Sequence, residues 1–291
     1  YYLAKQGYKV LVFSVDPQAS LSDIFEKDIF GKGAIEIIPG LFAQEVDADK
    51  RIKEYQKEIK QKILDRYGLD KIPDEVESYI AAASAEPAME ESAIFDAVVD
   101  IVFKGDYDYY IYDLVPLGHA LYYLSMSSIY DEWINRITGL RSEMRRYDEV
   151  VAKMRSEKVN EEDEILNELL YIKQRINLSS NIFTDKDKTA FFFVLTPEEM
   201  IIIDTLKAKE LFTKFGVPVA GFIVNRVIPA ELANEEVPEY LKNRIASQSK
   251  PLADIKDRFG GQVVGYVPEF ERDITGLKMI EKVAKKMFGG F

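Results

Sequence analysis

The stretch Phe13-Ser14-Val15-Asp16-Pro17-Gln18-Ala19-Ser20-Leu21-Ser22-Asp23 decides how this chain is read. It continues Tyr8-Lys9-Val10-Leu11-Val12-Phe13, a run rich in β-branched and aromatic residues that Gly7 sets off from what precedes it. A run of this kind predicts a strand buried on both faces, as in a parallel sheet. The apolar pattern stops at an acid, Asp16, which Pro17 restricts to an extended backbone. Open parallel sheets bind ligands beyond the carboxyl ends of their strands, so Asp16 stands where a metal, a water or a phosphate would meet it. The same residues also suit a plainer role, in which Asp16 caps a helix starting near Ser20 and Asp23 completes a capping box.

A second stretch has the same form. Asp108-Tyr109-Tyr110-Ile111-Tyr112-Asp113-Leu114-Val115-Pro116-Leu117-Gly118-His119 is an apolar strand that ends in an acid and runs through a Pro/Gly turn toward a helix. Two such strand ends in one sheet can converge on one site. Strand-end acids followed by Gly-containing turns are what phosphoryl-transfer proteins use to hold Mg²⁺ and to sense a γ-phosphate.

Composition narrows the class. The chain has 291 residues, enough for one large α/β domain or for one with a helical insertion, and its hydrophobic fraction of 47% supports a sizeable core. A net charge of -12 argues against non-specific nucleic-acid binding. With no cysteine and one histidine, no disulfide, thiolate metal site or imidazole zinc site can be built within the chain. No apolar run approaches the ~18 residues of a membrane-spanning helix, and no signal peptide is visible.

The remaining chain alternates between helix and strand. Tyr1 to Gly7 reads as the end of a helix with Gly7 just past it. Ile52, Tyr55, Ile59, Ile63 and Tyr67 recur at helical spacing, a short alanine-rich stretch runs from Glu75 to Ala83, and Ile94 to Phe103 predicts a helix packed on the sheet. Met126, Tyr130, Trp133, Ile137, Leu140, Met144, Tyr147, Val151 and Met154 follow alternating steps of four and three, and Ile165, Leu169, Ile172 and Ile176 resume that spacing. This predicts a helical hairpin over 120–178. Its stripe either packs on its own partner helix or, with its methionines, opens toward an apolar peptide. Strands are expected over Lys188–Thr196, Val217–Val227 and near Gly265–Phe270, with helices over Glu198–Phe215, within the charged segment 229–259 and over Gly276–Met287. The carboxamide of Asn225 suits the edge of a purine base and equally suits a turn.

Taken in order, these segments resemble one family. Ser14-Val15-Asp16-Pro17-Gln18-Ala19-Ser20-Leu21-Ser22-Asp23 is similar to the switch I motif S-x-D-P-A-H-S-L-S-D of the ArsA-type ATPases, and Asp113 to His119 resembles their switch II motif D-T-A-P-T-G-H. Gly216-Val217-Pro218-Val219 with Val224-Asn225-Arg226-Val227 resembles their base-binding strand. Pro268-Glu269-Phe270 with Gly276-Leu277 resembles the loop after their last strand. That family comprises arsenite-pump ATPases and ATPases that deliver tail-anchored membrane proteins. It belongs to the wider class of P-loop dimers that includes ParA and MinD.

The resemblance implies a doubly wound, mostly parallel α/β sheet of P-loop NTPase type with an α-helical insertion. The ATPase core would occupy 1–44, 91–119 and 183–291, and a helical subdomain 45–90 and 120–182. It implies ATP and Mg²⁺ as cofactors. Asp16 would orient the attacking water, Asp113 would hold Mg²⁺ through a water, and Gly118 would offer its N–H near the γ-phosphate. Asn225 would read adenine beside Pro268, Glu269 and Phe270. It implies a cytoplasmic homodimer whose groove, lined by Met126, Trp133, Ile137, Leu140, Met144 and Met154, shields the transmembrane helix of a tail-anchored client, with a membrane receptor as a further partner and no nucleic acid.

The departures are specific. Ala19 replaces the switch I histidine, and Leu114 and Leu117 replace two switch II threonines. The family's phosphate loop, K-G-G-x-G-K-[ST], would precede Tyr1, and residues 1–291 contain no equivalent. The expectation is therefore a chain that lacks the first strand and phosphate loop and does not hydrolyse ATP alone, the natural protein being longer. The alternatives are an arsenite-efflux ATPase, disfavoured because soft As(III) wants thiolates, a ParA/MinD-like switch, and a non-catalytic adaptor.

Overall fold

A computed structural model of the protein describes residues 1–15, 20–67, 71, 87–114, 135–147, 150, 154 and 164–289. In chain order the elements are α1 (Tyr2–Lys5), β1 (Val10–Ser14), α2 (Ser20–Phe25), β2 (Ile35–Ile38), β3 (Leu41–Glu45), α3 (Ala48–Tyr67), α4 (Pro87–Lys104) and β4 (Tyr109–Asp113). Next come a helix over 135–147, here α5, and then α6 (Glu164–Thr184), β5 (Phe191–Leu195) and α7 (Glu199–Lys214). The chain continues through β6 (Val219–Val227), α8 (Glu239–Phe259), β7 (Val263–Pro268) and α9 (Gly276–Phe288). None of the helices among the described residues is long and apolar enough to cross a membrane.

β1 is the central strand that its composition predicts. Val10, Leu11, Phe13 and Ser14 are buried, as is Val15 just beyond the strand. It lies between β3 and β4 and runs parallel to both. Burial on both faces is what an unbroken Val/Leu/Phe run supplies. Phe13 stacks face to face on its register partner Tyr112, with ring centroids 4.7 Å apart. On one side of the sheet Val10, Leu41 and Ala43 pack with Leu21, Phe25, Ile29 and Ile37, and Leu277 and Ile280 of α9 close over them. The strictly amphipathic sequence of α9 allows this, since its lysines all fall on the opposite face.

The helices expected around Ile52–Tyr67 and Ile94–Phe103 are present as α3 and α4, and ahead of them lies an element to which the sequence reading gave no place. Residues 35–45 form the antiparallel hairpin β2–β3 around Pro39-Gly40. A Pro-Gly pair between two short apolar runs is the signal that marks it. Gly40 has φ +83, and a Cβ placed on it would meet the Tyr8 carbonyl at 2.9 Å. Gly40→Ala is therefore expected to destabilise the protein by about 1–3 kcal/mol, read as a lower urea midpoint with an unchanged slope.

The expectation of one sheet is also revised. The described strands form a four-stranded sheet of order β2-β3-β1-β4 and a separate three-stranded sheet of order β5-β6-β7. An apolar run specifies a strand and its burial but not its neighbour, so the grouping could not be read from the pattern. In the second sheet β6 and β7 are parallel. Phe222 is buried against Phe259 of α8, with centroids 4.3 Å apart, and stacks on Phe193 at 5.8 Å. Gly221 lets β7 approach, because a Cβ there would lie 2.6 Å from Val264.

The chain divides into two compact units, one of Tyr1–His119, Phe192–Ala208 and Gly221–Phe291, the other of Ala120–Phe191 and Lys209–Ala220. The second unit contains α5 and α6. Within it Phe191 packs edge-on against Phe212, with centroids 5.4 Å apart. Several of its apolar residues lie open on the surface, among them Leu140, Met144, Tyr147 and Met154.

Candidate nucleotide site

Three parallel strands of the first sheet end at one level. The register pairs Ser14 with Glu45 on one side and with Asp113 on the other. Asp113 is exposed at its strand end, whereas Glu45 is buried at 1% exposure. Ser14, two residues before Asp16, is thus the direct neighbour of the Asp113 position. The two acid-ended strands that the sequence singles out do lie side by side, as a shared site requires. Asp16 itself, Gly118, Met126 and Trp133 lie outside the described residues.

Glu45 was not singled out from the sequence, yet it organises this corner. Its carboxylate accepts a hydrogen bond from the Leu21 N–H at 2.5 Å and another from the Ser22 hydroxyl. The Ser22 oxygen in turn accepts from the Ile29 N–H at 3.2 Å. The Glu45 carbonyl accepts from Gly31 at 3.0 Å, and Val46 donates to the Ser14 carbonyl at 2.9 Å. One buried carboxylate therefore fixes the first turn of α2, which begins at Ser20. A buried charge is tolerated when polar donors satisfy it, and here two do. The available signal was an acid at the end of the short apolar run Leu41-Phe42-Ala43, the same signal that picked out Asp16 and Asp113.

The second cluster sits at the ends of β6 and β7. Val227 pairs with Pro268 in the parallel register, and the Glu269 N–H donates to the Val227 carbonyl at 3.0 Å. This brings Asn225, Arg226, Pro268, Glu269 and Phe270 to neighbouring strand ends in one sheet. Asn225 is half-buried, and its side-chain oxygen accepts from the Arg226 N–H at 2.9 Å. Arg226 has φ +59, a left-handed backbone that non-glycine residues rarely adopt. Its guanidinium donates to one Glu269 oxygen at 3.1 and 3.3 Å. Hydrogen bonding to Glu269, then its charge, raises the Arg226 pKa further above its already high value. The second Glu269 oxygen is buried and has no hydrogen-bond partner among the described residues. Phe270 carries the Lys282 ammonium over its ring at 5.4 Å.

Both clusters belong to the first unit, the Ser14–Glu45–Asp113 corner in the four-stranded sheet and the Asn225–Glu269 corner in the three-stranded one. Among the described residues no group of three or more His, Asp or Glu could hold a metal by itself. The donor set at the first corner suits a different arrangement, in which a Mg²⁺ ion bound mainly through nucleotide oxygens and water needs a single protein carboxylate. Asp113 fits that role. Of the remaining predicted positions, Leu140, Met144 and Met154 are exposed and Ile137 is half-buried, all of them in the second unit.

A mixed α/β fold with parallel strands and acids at adjacent strand ends is consistent with a P-loop NTPase. Comparison with known proteins sharpens this. Residues 1–289 match the anion-transporting ATPase family, and the chain belongs to that ArsA-type ATPase family. It is 28% identical over 285 residues to putative arsenical pump-driving ATPase 2 of Aquifex aeolicus, an alignment covering 97% of this chain and 90% of that protein. It is 27% identical over 301 residues to ATPase GET3C of Arabidopsis thaliana, covering 96% and 70% of the two chains. With ATPase get3 of Schizosaccharomyces japonicus the identity is 24% over 283 residues, covering 96% and 83%.

Proposed function

We propose that this protein is an ATP-hydrolysing targeting factor that shields the transmembrane helix of tail-anchored membrane proteins. It works as a homodimer in the cytoplasm and hands its client to a membrane receptor. The observation that carries this reading is the open apolar stripe of the second unit. Leu140, Met144 and Tyr147 are 57%, 56% and 73% exposed, and Met154 is 82% exposed. Apolar residues at helical spacing are ordinarily buried, and a contiguous exposed set marks an interaction surface. Methionines suit a surface that must accept apolar helices of differing sequence.

At the nucleotide site, Asp16 would orient the water that attacks the γ-phosphate, and Asp113 would hold Mg²⁺ through a water. Gly118 presents its N–H to the γ-phosphate region, and Asn225 reads adenine beside Pro268, Glu269 and Phe270. The metal supplies charge neutralisation between the phosphates, and the protein residues supply position and preorganised polarity. The motif K-G-G-x-G-K-[ST] does not occur within residues 1–291. Functional tests use the full natural chain.

Coexpression with a tail-anchored substrate tests the proposal. A soluble complex should form, and Leu140→Asp with Met144→Asp should reduce co-purified client about tenfold or more by placing charges against an apolar helix. The melting temperature should stay unchanged, because both positions are exposed. Full client recovery by the double variant would sink the groove.

The relatives named as arsenical pump-driving ATPases favour a second reading, efflux of arsenite. The absence of any cysteine from the chain speaks against a thiolate arsenite site within it. Turnover stimulated by arsenite would favour this second reading.

A further inference from the structure

The segment after Asn225 is held from two sides. On one side the Val227 carbonyl accepts from Glu269 of the β7 end. On the other stands Gln248, from the middle of α8, only 8% exposed. Its carboxamide spends both ends on the backbone. The side-chain oxygen accepts from the Ile228 N–H at 3.0 Å, and the side-chain nitrogen donates to the Arg226 carbonyl at 3.1 Å. Gln248 thus does for residues 226–228 what a neighbouring strand would do, offering one acceptor and one donor at β-ladder spacing.

What it holds is unusual. Arg226 is one of two non-glycine residues with positive φ among those described, at +59. Such a conformation persists where its surroundings over-determine it, and it gathers at functional sites. Its consequence falls on Asn225, whose side-chain oxygen is occupied by the Arg226 N–H. With the oxygen so engaged, the amide hydrogens of Asn225 point away from that bond and are offered as donors. Adenine N1, which bears an outward lone pair where guanine N1 carries a hydrogen, is the matching acceptor and the ring position that tells the two bases apart.

We propose that Gln248 is a positioning residue for nucleotide-base recognition: by clamping the Arg226 carbonyl and the Ile228 N–H, it sets the direction in which Asn225 presents its carboxamide, and so the preference for adenine over guanine nucleotides. This rests on the reading of Asn225 as a base contact. Gln248 does not touch the nucleotide and acts through Asn225. A glutamine that only fastened α8 to the sheet would affect stability and bind all nucleotides equally.

The test uses the full natural chain with Mg²⁺ and measures binding of fluorescent ATP and GTP analogues by titration. The wild type, Gln248→Ala, Gln248→Glu, Asn225→Ala and the Gln248→Ala/Asn225→Ala double variant are compared. Gln248→Ala should weaken ATP binding roughly tenfold, the fold-change expected for one misdirected hydrogen bond, and GTP binding less than about twofold. Gln248→Glu keeps the acceptor for Ile228 but turns an oxygen toward the Arg226 carbonyl. It should lose discrimination in the same direction, and it carries the test if the alanine variant does not fold. In the double variant the two losses should not multiply, because both act through one contact. Equal losses for ATP and GTP, or losses that multiply, would overturn the positioning role while leaving the nucleotide reading standing. A wild-type protein that binds neither nucleotide would overturn that reading, and the positioning role with it.

Discussion

Asp113→Asn should lower ATP turnover of the full natural chain by roughly two to three orders of magnitude, the size seen when one preorganised electrostatic contact is removed from a reacting phosphate or oxyanion. The substitution keeps the shape of the side chain and its place at the end of β4. It removes the negative charge that would hold a divalent cation through water. Because Asp113 is exposed, stability should change by no more than about 0.5 kcal/mol. Phosphate release measured across a Mg²⁺ titration checks both parts. If the carboxylate works through the metal, added Mg²⁺ restores part of the rate. Turnover within threefold of wild type at every Mg²⁺ concentration would remove Asp113 from the site.

The second large effect is structural. Glu45→Ala should cost about 3–5 kcal/mol, since it takes a buried acceptor away from two donors. The Leu21 N–H and the Ser22 hydroxyl would be left unpaired at the first turn of α2. Glu45→Gln should cost less, about 1–2 kcal/mol, because its carbonyl can still accept from Leu21 while Ser22 must turn its hydroxyl elsewhere. Urea unfolding, with slopes compared to exclude a change in the unfolded state, measures the difference. Equal and small losses from both variants would show that the carboxylate is dispensable. Under the proposed role of Asp16, four residues before Ser20, Glu45→Ala should also slow hydrolysis.

Much of the architecture was legible because single strands and helices carry their own signals. The Val10–Phe13 run, the apolar run ending at Asp113, and the helix Glu199–Lys214 closed by Gly216 at φ +71 all declare themselves locally. The β2–β3 hairpin was missed because Glu36 and Gln44 interrupt its short apolar runs and because a charged stretch follows at once. Glu45 was passed over for the same reason, standing where strand and helical patterns meet. Gln248 could not have been found by pattern at all. It sits among Ser247, Ser249 and Lys250 on a charged helix, and only the three-dimensional path of α8 brings its carboxamide to Arg226 and Ile228. The pairing of Ser14 with Asp113 was the part of the site most open to inference, because two acid-ended strands of one parallel sheet have few ways to lie.

Among the described strands β4 ends its sheet, with Tyr109 and Ile111 each 42% exposed. A strand at a sheet margin with an oily face invites another extended chain to lie along it. Asp106, Asp108 and Asp113 bracket it with negative charge, the device by which natural sheets repel copies of themselves. Acidification or high salt would mute that repulsion, so clumping in dilute acid or strong brine should begin at this margin rather than at the hairpin on the far side.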